Sequence, residues 1–166
     1  MTQGIGSAVN SQILQRLTSS TGVNSTLAAL VGVGNAPPPV IDALQMRIQN
    51  VAPDLMERAE TVSYPAVNIY CEKLANALTE KSRSFSGTAR VAVEVRHSHD
   101  RLQCLQGALE LFADAIAQTL SANRGDWGNG LYYAGVYEIS YSPVKQGGRN
   151  FVQSAKITLE IGVSRN

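Results

Sequence analysis

Residues 88–120 read TARVAVEVRHSHDRLQCLQGALELFADAIAQTL, and the period of the apolar residues changes in mid-stretch. Ala89, Val91, Val93 and Val95 alternate with Arg90, Ala92, Glu94 and Arg96, the period of a strand with one buried and one wet face. Past His99 the period lengthens. Leu102, Leu105, Leu109, Phe112, Ile116 and Leu120 step by three or four, and Ala108, Leu111 and Ala115 widen the stripe. This half predicts a helix of about 23 residues laid on a core. Asp100 stands where an N-cap belongs, Gln103 completes a capping box, and Asn123 and Gly125 supply the stop. A strand feeding a helix sets the class as α+β.

Working toward the C-terminus, GDWGNG is a turn-rich link, and LYYAGVYEISY (131–141) alternates again, with Leu131, Tyr133, Tyr137, Ile139 and Tyr141 on one side. After SPVKQGGRN, FVQSAKITLEIGV (151–163) sets Phe151, Gln153, Ala155, Ile157, Leu159, Ile161 and Val163 against Val152, Ser154, Lys156, Thr158, Glu160 and Gly162. Toward the N-terminus, YPAVNIYC (64–71) predicts a strand through Val67, Ile69 and Cys71, and Val40, Ile41, Leu44, Ile48 and Val51 predict a helix. Pro53 breaks it, and PDLMERAE restarts a short piece with proline in its first turn. The expected fold is a two-layer domain: a four-stranded, mainly antiparallel sheet packed by helices, in the order α-β-β-α-β-β.

The first 39 residues differ. They are rich in Gly, Ser, Thr and Asn and end in three prolines. Val9, Ile13 and Leu17 predict a short helix near 8–18, and Asn24 or Ser25 caps another short turn through Leu30. Residues 1–39 are expected to be an N-terminal extension or arm, and 40–166 the α+β domain.

With 166 residues the chain is long enough for one domain with a proper core. Hydrophobic residues make up 44% and charged residues only 16%, below the usual quarter, which points to contact surface where a monomer would have charge. A net charge of +1 argues against a dedicated nucleic-acid binder, which neutralises many phosphates. No apolar run approaches the ~20 residues of a membrane helix, and the N-terminus lacks the pattern of a secretory signal. Cys71 and Cys104 fall at apolar positions and are expected to be small buried hydrophobes with no disulfide framework.

Few residues invite chemistry. His97 and His99 share a strand face beside Asp100, yet zinc needs three or four protein ligands and the chain has no further histidine. They read as a strand-to-helix corner. Cys104, in the first turn of a helix, could form a thiolate beside either histidine, but nothing marks an orienting group. Gly32 and Gly34 follow no strand and are followed by prolines, so they make no dinucleotide loop. No enzyme, metal or cofactor is expected.

Two connections are longer and more basic than turning requires. One carries Lys81, Arg83 and an exposed-looking Phe85; the other carries Lys145, Gln146 and Arg149. They are either solvated loops or assembly contacts. The expected wet face of the sheet carries Arg90, Glu94, Arg96, Lys156, Thr158 and Glu160. A nucleic-acid-binding module using Arg90, Arg96 and Lys156 is the competing reading, although the aromatic platform for bases is missing.

YPAVNIYCEKL, KSRSFSGTARVAVEVRHSHDRL, NRGDWGNGLYYAGVYEISYSPV and KQGGRNFVQSAKITLEIGV together resemble small neck and tail proteins of tailed bacteriophages, closest to the tail-terminator or tail-completion type. The resemblance covers roughly residues 40–166. It implies a structural α+β subunit that forms a ring, commonly a hexamer, at the head-proximal end of the tail. Such a ring ends the tail tube, meets the connector or stopper protein above it, and leaves a channel for DNA. It further implies that strands 88–97 and 151–164 lie in the ring's sheet and that loops 79–87 and 143–150 touch neighbours. A tail-tube subunit or head–tail adaptor is the alternative within the same class, and the implied location is the virion.

Overall fold

The computed structural model describes residues 3–32, 39–52, 55, 58 and 62–166. Among them are three α-helices: α1 (Ile5–Thr18), α2 (Val23–Val31) and α3 (Leu102–Ala122). A 3₁₀ turn (Ala43–Gln45) leads into the first of seven strands: β1 (Met46–Ile48), β2 (Ala66–Asn76), β3 (Phe85–His99), β4 (Gly125–Gly128), β5 (Leu131–Tyr141), β6 (Lys145–Gly147) and β7 (Asn150–Arg165). The fold is α+β. All the strands join one sheet in the order β1-β2-β3-β7-β5-β4, with β6 pairing β7 off that path. Only β1 and β2 run parallel; the other pairs are antiparallel. The expected count of four is corrected to seven. The four long strands are those the alternation marks, and β1, β4 and β6 are too short to display a period.

The helix expected over 40–51 does not form. Of its stripe only Ile41 is buried; Val40, Leu44 and Ile48 are 61%, 77% and 43% exposed. The Asp42 carboxylate accepts from the Leu44 N–H at 2.9 Å and closes a 3₁₀ turn. Met46–Ile48 then extend alongside Val67–Ile69. A segment this rich in β-branched residues suits a strand, and the open edge of β2 outcompetes the helical period. The short helical piece expected over 53–60 falls largely outside the described residues.

The N-terminal segment completes the core. α1 forms where the spacing predicts it, and α2 where the second turn is expected. Val9, Ile13, Leu17, Val23 and Leu27 are all at most 1% exposed and share one cluster with β2, β3, β7 and α3. Burial of each such side chain stabilises the fold by about 1.5–3 kcal/mol. The Asn24 amide donates to the Ile41 carbonyl at 2.9 Å and accepts from the Ile41 N–H at 2.8 Å, while Thr26 and Thr119 share a 2.8 Å hydroxyl contact. Among the described residues the packing has no seam near residue 39.

α3 lays Leu105, Leu109, Phe112, Ile116 and Leu120 on β3 and β7. Its N-cap is Arg101, with no side-chain cap bond, so the capping box expected at Asp100 is corrected. Asp100 instead sits 2.8 Å from His99 Nδ1. The stop is at Asn123, whose side-chain amide donates to the Thr119 carbonyl at 2.7 Å.

β4 and β5 form a hairpin closed by Asn129 and Gly130, at φ 54° and 73°, the two positive values of a type I′ turn. A Cβ on Gly130 would lie 1.8 Å from the Ser164 carbonyl oxygen. Trp127 of this hairpin packs on Tyr133, donates to the Asn123 carbonyl at 2.6 Å, and lies 4.3 Å beneath the Arg16 guanidinium of α1. α1 and α3 thus pack on the sheet face of Val91, Val93, Ile157 and Leu159, and α2 packs on α3. No described helix is long and apolar enough to cross a membrane.

Candidate assembly surfaces

The second sheet face carries ion pairs in place of helices. Strand alternation brings Glu72 of β2, Arg90, Glu94 and Arg96 of β3, Lys156 and Glu160 of β7 and Glu138 of β5 to this side. A register shift between Cys71 and Lys73 keeps Glu72 and Lys73 together on it. Arg90 lies 3.3 Å from Glu72 and 3.1 Å from Glu138, and Lys156 also pairs with Glu72. Arg96 grips Glu94 Oε1 through Nε at 3.0 Å and Nη2 at 2.8 Å, and the Tyr70 hydroxyl donates to Glu94 Oε2 at 3.1 Å. Burial, then the Glu94 carboxylate, hold the Tyr70 hydroxyl well above its ordinary pKa.

Parity alone predicts this face to be wet, and the structure corrects that in part. Arg90, Lys156 and Glu160 meet solvent, but Arg96 and Thr158 are 2% and 7% exposed and Glu94 is largely covered. For Arg96 the connection after β5 contributes the cover. Ser142, Pro143 and Lys145 lie at the upper end of the face and, with Val152, Gln153 and Ser154, line a half-open pocket of about 50 Å³ against Arg96. Arg96 Nη1 and Gln153 Oε1 are buried there without a protein partner. A pocket of that size with two unpartnered polar atoms suits one or two waters.

The two loops singled out by their charge do not meet. Lys81 and Arg83 lie between β2 and β3, at the end where Phe85 pairs with Arg165. Lys145, Gln146 and Arg149 belong to the hairpin of β6 with β7, at the end where Phe151 pairs with His99. Those ends are roughly 45 Å apart at strand rise. Arg83 is held by Glu80 at 3.3 Å and by the Asn166 side chain at 2.8 Å. Phe85, expected to be exposed, is half-buried and packs against the core. Lys81, Gln146 and Arg149 are exposed.

His97 and His99 do share a face, their ring centroids 6.4 Å apart. His97 turns inward and meets Phe112 edge-on at 5.2 Å; burial and the neighbouring His99 lower its pKa. Among the described residues no group of three or more His, Cys, Asp or Glu side chains gathers at one point. Cys71 is half-buried under Gly6 of α1, and burial raises its thiol pKa. Cys104 is exposed, which corrects the expectation of a buried residue: it lies off the stripe of Leu105, Leu109 and Phe112.

Eight of the twelve exposed large apolar side chains among the described residues lie along the two margins of the sheet; Leu30, Leu55, Leu78 and Leu102 lie elsewhere. On or beside β1 and β2 are Val40, Leu44, Ile48 and Leu74; on β5 are Tyr132, Val136, Tyr137 and Tyr141, 43–66% exposed. Tyr137 and Tyr141 carry the right parity for the core but lie beyond the cover of α3, whose Glu110 and Asp114 stand near Tyr141. Sequence reasoning missed both margins. The signal for one was present: Asn129-Gly130 is a strong hairpin signature, and it places a short strand before β5.

No protein-family model matches this chain, and no curated protein matches it.

Proposed function

We propose that this chain is a structural subunit of a tailed-phage tail or neck, of the tail-terminator type, which closes into a ring with copies of itself. The carrying observation is where the uncovered apolar surface lies. One face of the sheet is covered by helices and the other by ion pairs, while eight of the twelve exposed large apolar side chains among the described residues follow the two margins. Two different sticky margins on one subunit make a heterologous contact, and such a contact closes into a ring when its rotation permits. The low charge fraction of 16% agrees with this.

The ring would stand at the head-proximal end of the tail, with the tube protein on one side and the connector on the other, and DNA would pass through it. The cations of the polar face are matched by Glu72, Glu94 and Glu138, so the face offers little net charge to phosphates. This favours a wall that DNA slides past over a binder that holds it. The two loops, at opposite ends of the sheet, suit contacts with the rings above and below. On this reading the chain is a virion component and no catalyst.

Sedimentation of the purified chain, with imaging of particle necks, tests the reading. A closed ring of about six copies, present at the neck, is the expected result. Long tubes would favour a tail-tube subunit, and a strictly monomeric chain absent from particles would overturn the proposal.

A further inference from the structure

The two margins of the sheet are shaped to fit one another. β1 covers only part of β2, and β4 only part of β5, and the pairing registers fix the heights of both. At one level Ile48, Ile69, Val93, Ile157 and Ile139 lie in a row across the sheet. At a lower level the row runs Leu74, Ala89, Ile161, Tyr133 and Gly125. So β1 is a tab on the upper part of its margin, above a notch where residues 70–76 of β2 pair outward with no described strand. β4 is a tab on the lower part of the opposite margin, beneath a notch along residues 137–141 of β5. Tab faces notch at both heights.

We propose that neighbouring copies merge their sheets head to tail, β1 of one copy entering the notch beside residues 139–141 of the next, and β4 of that copy entering the notch beside residues 70–76 of the first. The proposal rests on the ring reading and names its contact. Strand direction agrees. β5 runs with β3, and β1 runs with β2 against β3, so in a cyclic ring the β1–β5 seam is antiparallel.

Backbone polarity agrees as well. The Gln49 N–H donates to the Ile69 carbonyl at 3.1 Å, so by alternation Arg47 turns toward β2 and Ile48 turns its N–H and C=O outward. The Ser142 N–H donates to the Ser154 carbonyl at 2.9 Å, so Ser140 turns toward β7 and Ile139 and Tyr141 turn outward. Ile48 and Ile139, which share a level, thus offer each other the groups a hydrogen-bonded pair needs. Charge completes the match. Arg47 and Lys73 stand on one margin, Glu138 and Asp126 on the other, each cation diagonal to a carboxylate across the seam.

The test is a disulfide across the seam. Arg47 and Ser140 are exposed and would face each other as a non-hydrogen-bonded pair, where Cβ atoms come closest. Within one chain they are four strand spacings, about 19 Å, apart, too far to bridge. Mild oxidation of the Arg47→Cys/Ser140→Cys double variant of the full chain, made together with Cys104→Ser so that the exposed native thiol takes no part, is expected to give a ladder of multimers on non-reducing electrophoresis, absent from both single variants on that background. No ladder, with the unaltered chain still sedimenting as a ring, would overturn this contact and spare the ring. No ladder and a monomeric unaltered chain would overturn both. A dimer from a single variant would mean a two-fold contact and would equally overturn the proposal. Tyr141→Pro is the second arm. It removes an outward N–H along with the tyrosine side chain, for which Tyr141→Ala is the control; Tm of the isolated subunit is expected to stay within a few degrees while ring formation is lost in the proline variant alone, and undiminished assembly would contradict the seam.

Discussion

Arg96 carries a buried charge because Glu94, two residues along the same strand, faces the same way and accepts two of its N–H groups. Removing one partner leaves the other desolvated and unpaired. Arg96→Ala is expected to destabilise the fold by about 3 kcal/mol, whereas Arg96→Leu/Glu94→Leu should restore most of that loss; thermal melts of both variants check it. His97 makes a second case. Burial, then His99, holds its pKa below the ordinary value near 6.5. As pH falls through about 6.5 the unfolded chain takes up a proton that the folded chain refuses, so the stability is complete above that pH and declines below it. Melts at pH 7.5 and 5.5 should show the fall, and His97→Leu should flatten it. Neither role is visible in the sequence. Parity puts Arg96 on the wet side, and the chain from Ser142 to Lys145 contributes the cover that decides otherwise.

Among the elements, those with a sustained period were legible: α1, α3 and the four long strands follow from spacing alone. The failures share a cause. β1 and β4 have three and four residues, fewer than a period needs, and each exists because a longer strand offers it an edge. The β4–β5 hairpin further depends on one glycine. Gly130 combines φ 73° with a carbonyl oxygen where its Cβ would stand, so Gly130→Ala is expected to cost about 3 kcal/mol or more and to loosen Trp127, read as lower Tm and altered tryptophan fluorescence. The expected helix over 40–51 failed in the opposite way. Its stripe fits a helical wheel, but no face of the core was vacant to receive it, because α1 and α2 already cover β2 and α3.

For the whole molecule, association and stability should be coupled. If rings form from folded subunits, Tm must rise with protein concentration, and tenfold dilution should lower it measurably; the melt of a lasting monomer would not move. Raising salt should weaken assembly only modestly, since the margins offer apolar side chains along with few charges. The exposure of the residues proposed as contacts was only partly legible. Lys81, Arg149 and Gln146 are exposed as expected, but Phe85 is not, and the apolar margins carry no motif in the chain.

The sequence by itself determined the class: a strand that alternates and a helix that steps by three or four must each bury a face, and together they make two layers. It also marked the core residues of β3, β7 and α3, because parity within a regular element is a local property. Tertiary structure alone decided that residues 5–31 belong to that core, that Arg96 is buried, and that among the described residues both margins of the sheet are left unpaired at different heights. Those depend on which strands lie side by side and in what register, a long-range outcome that no local period encodes.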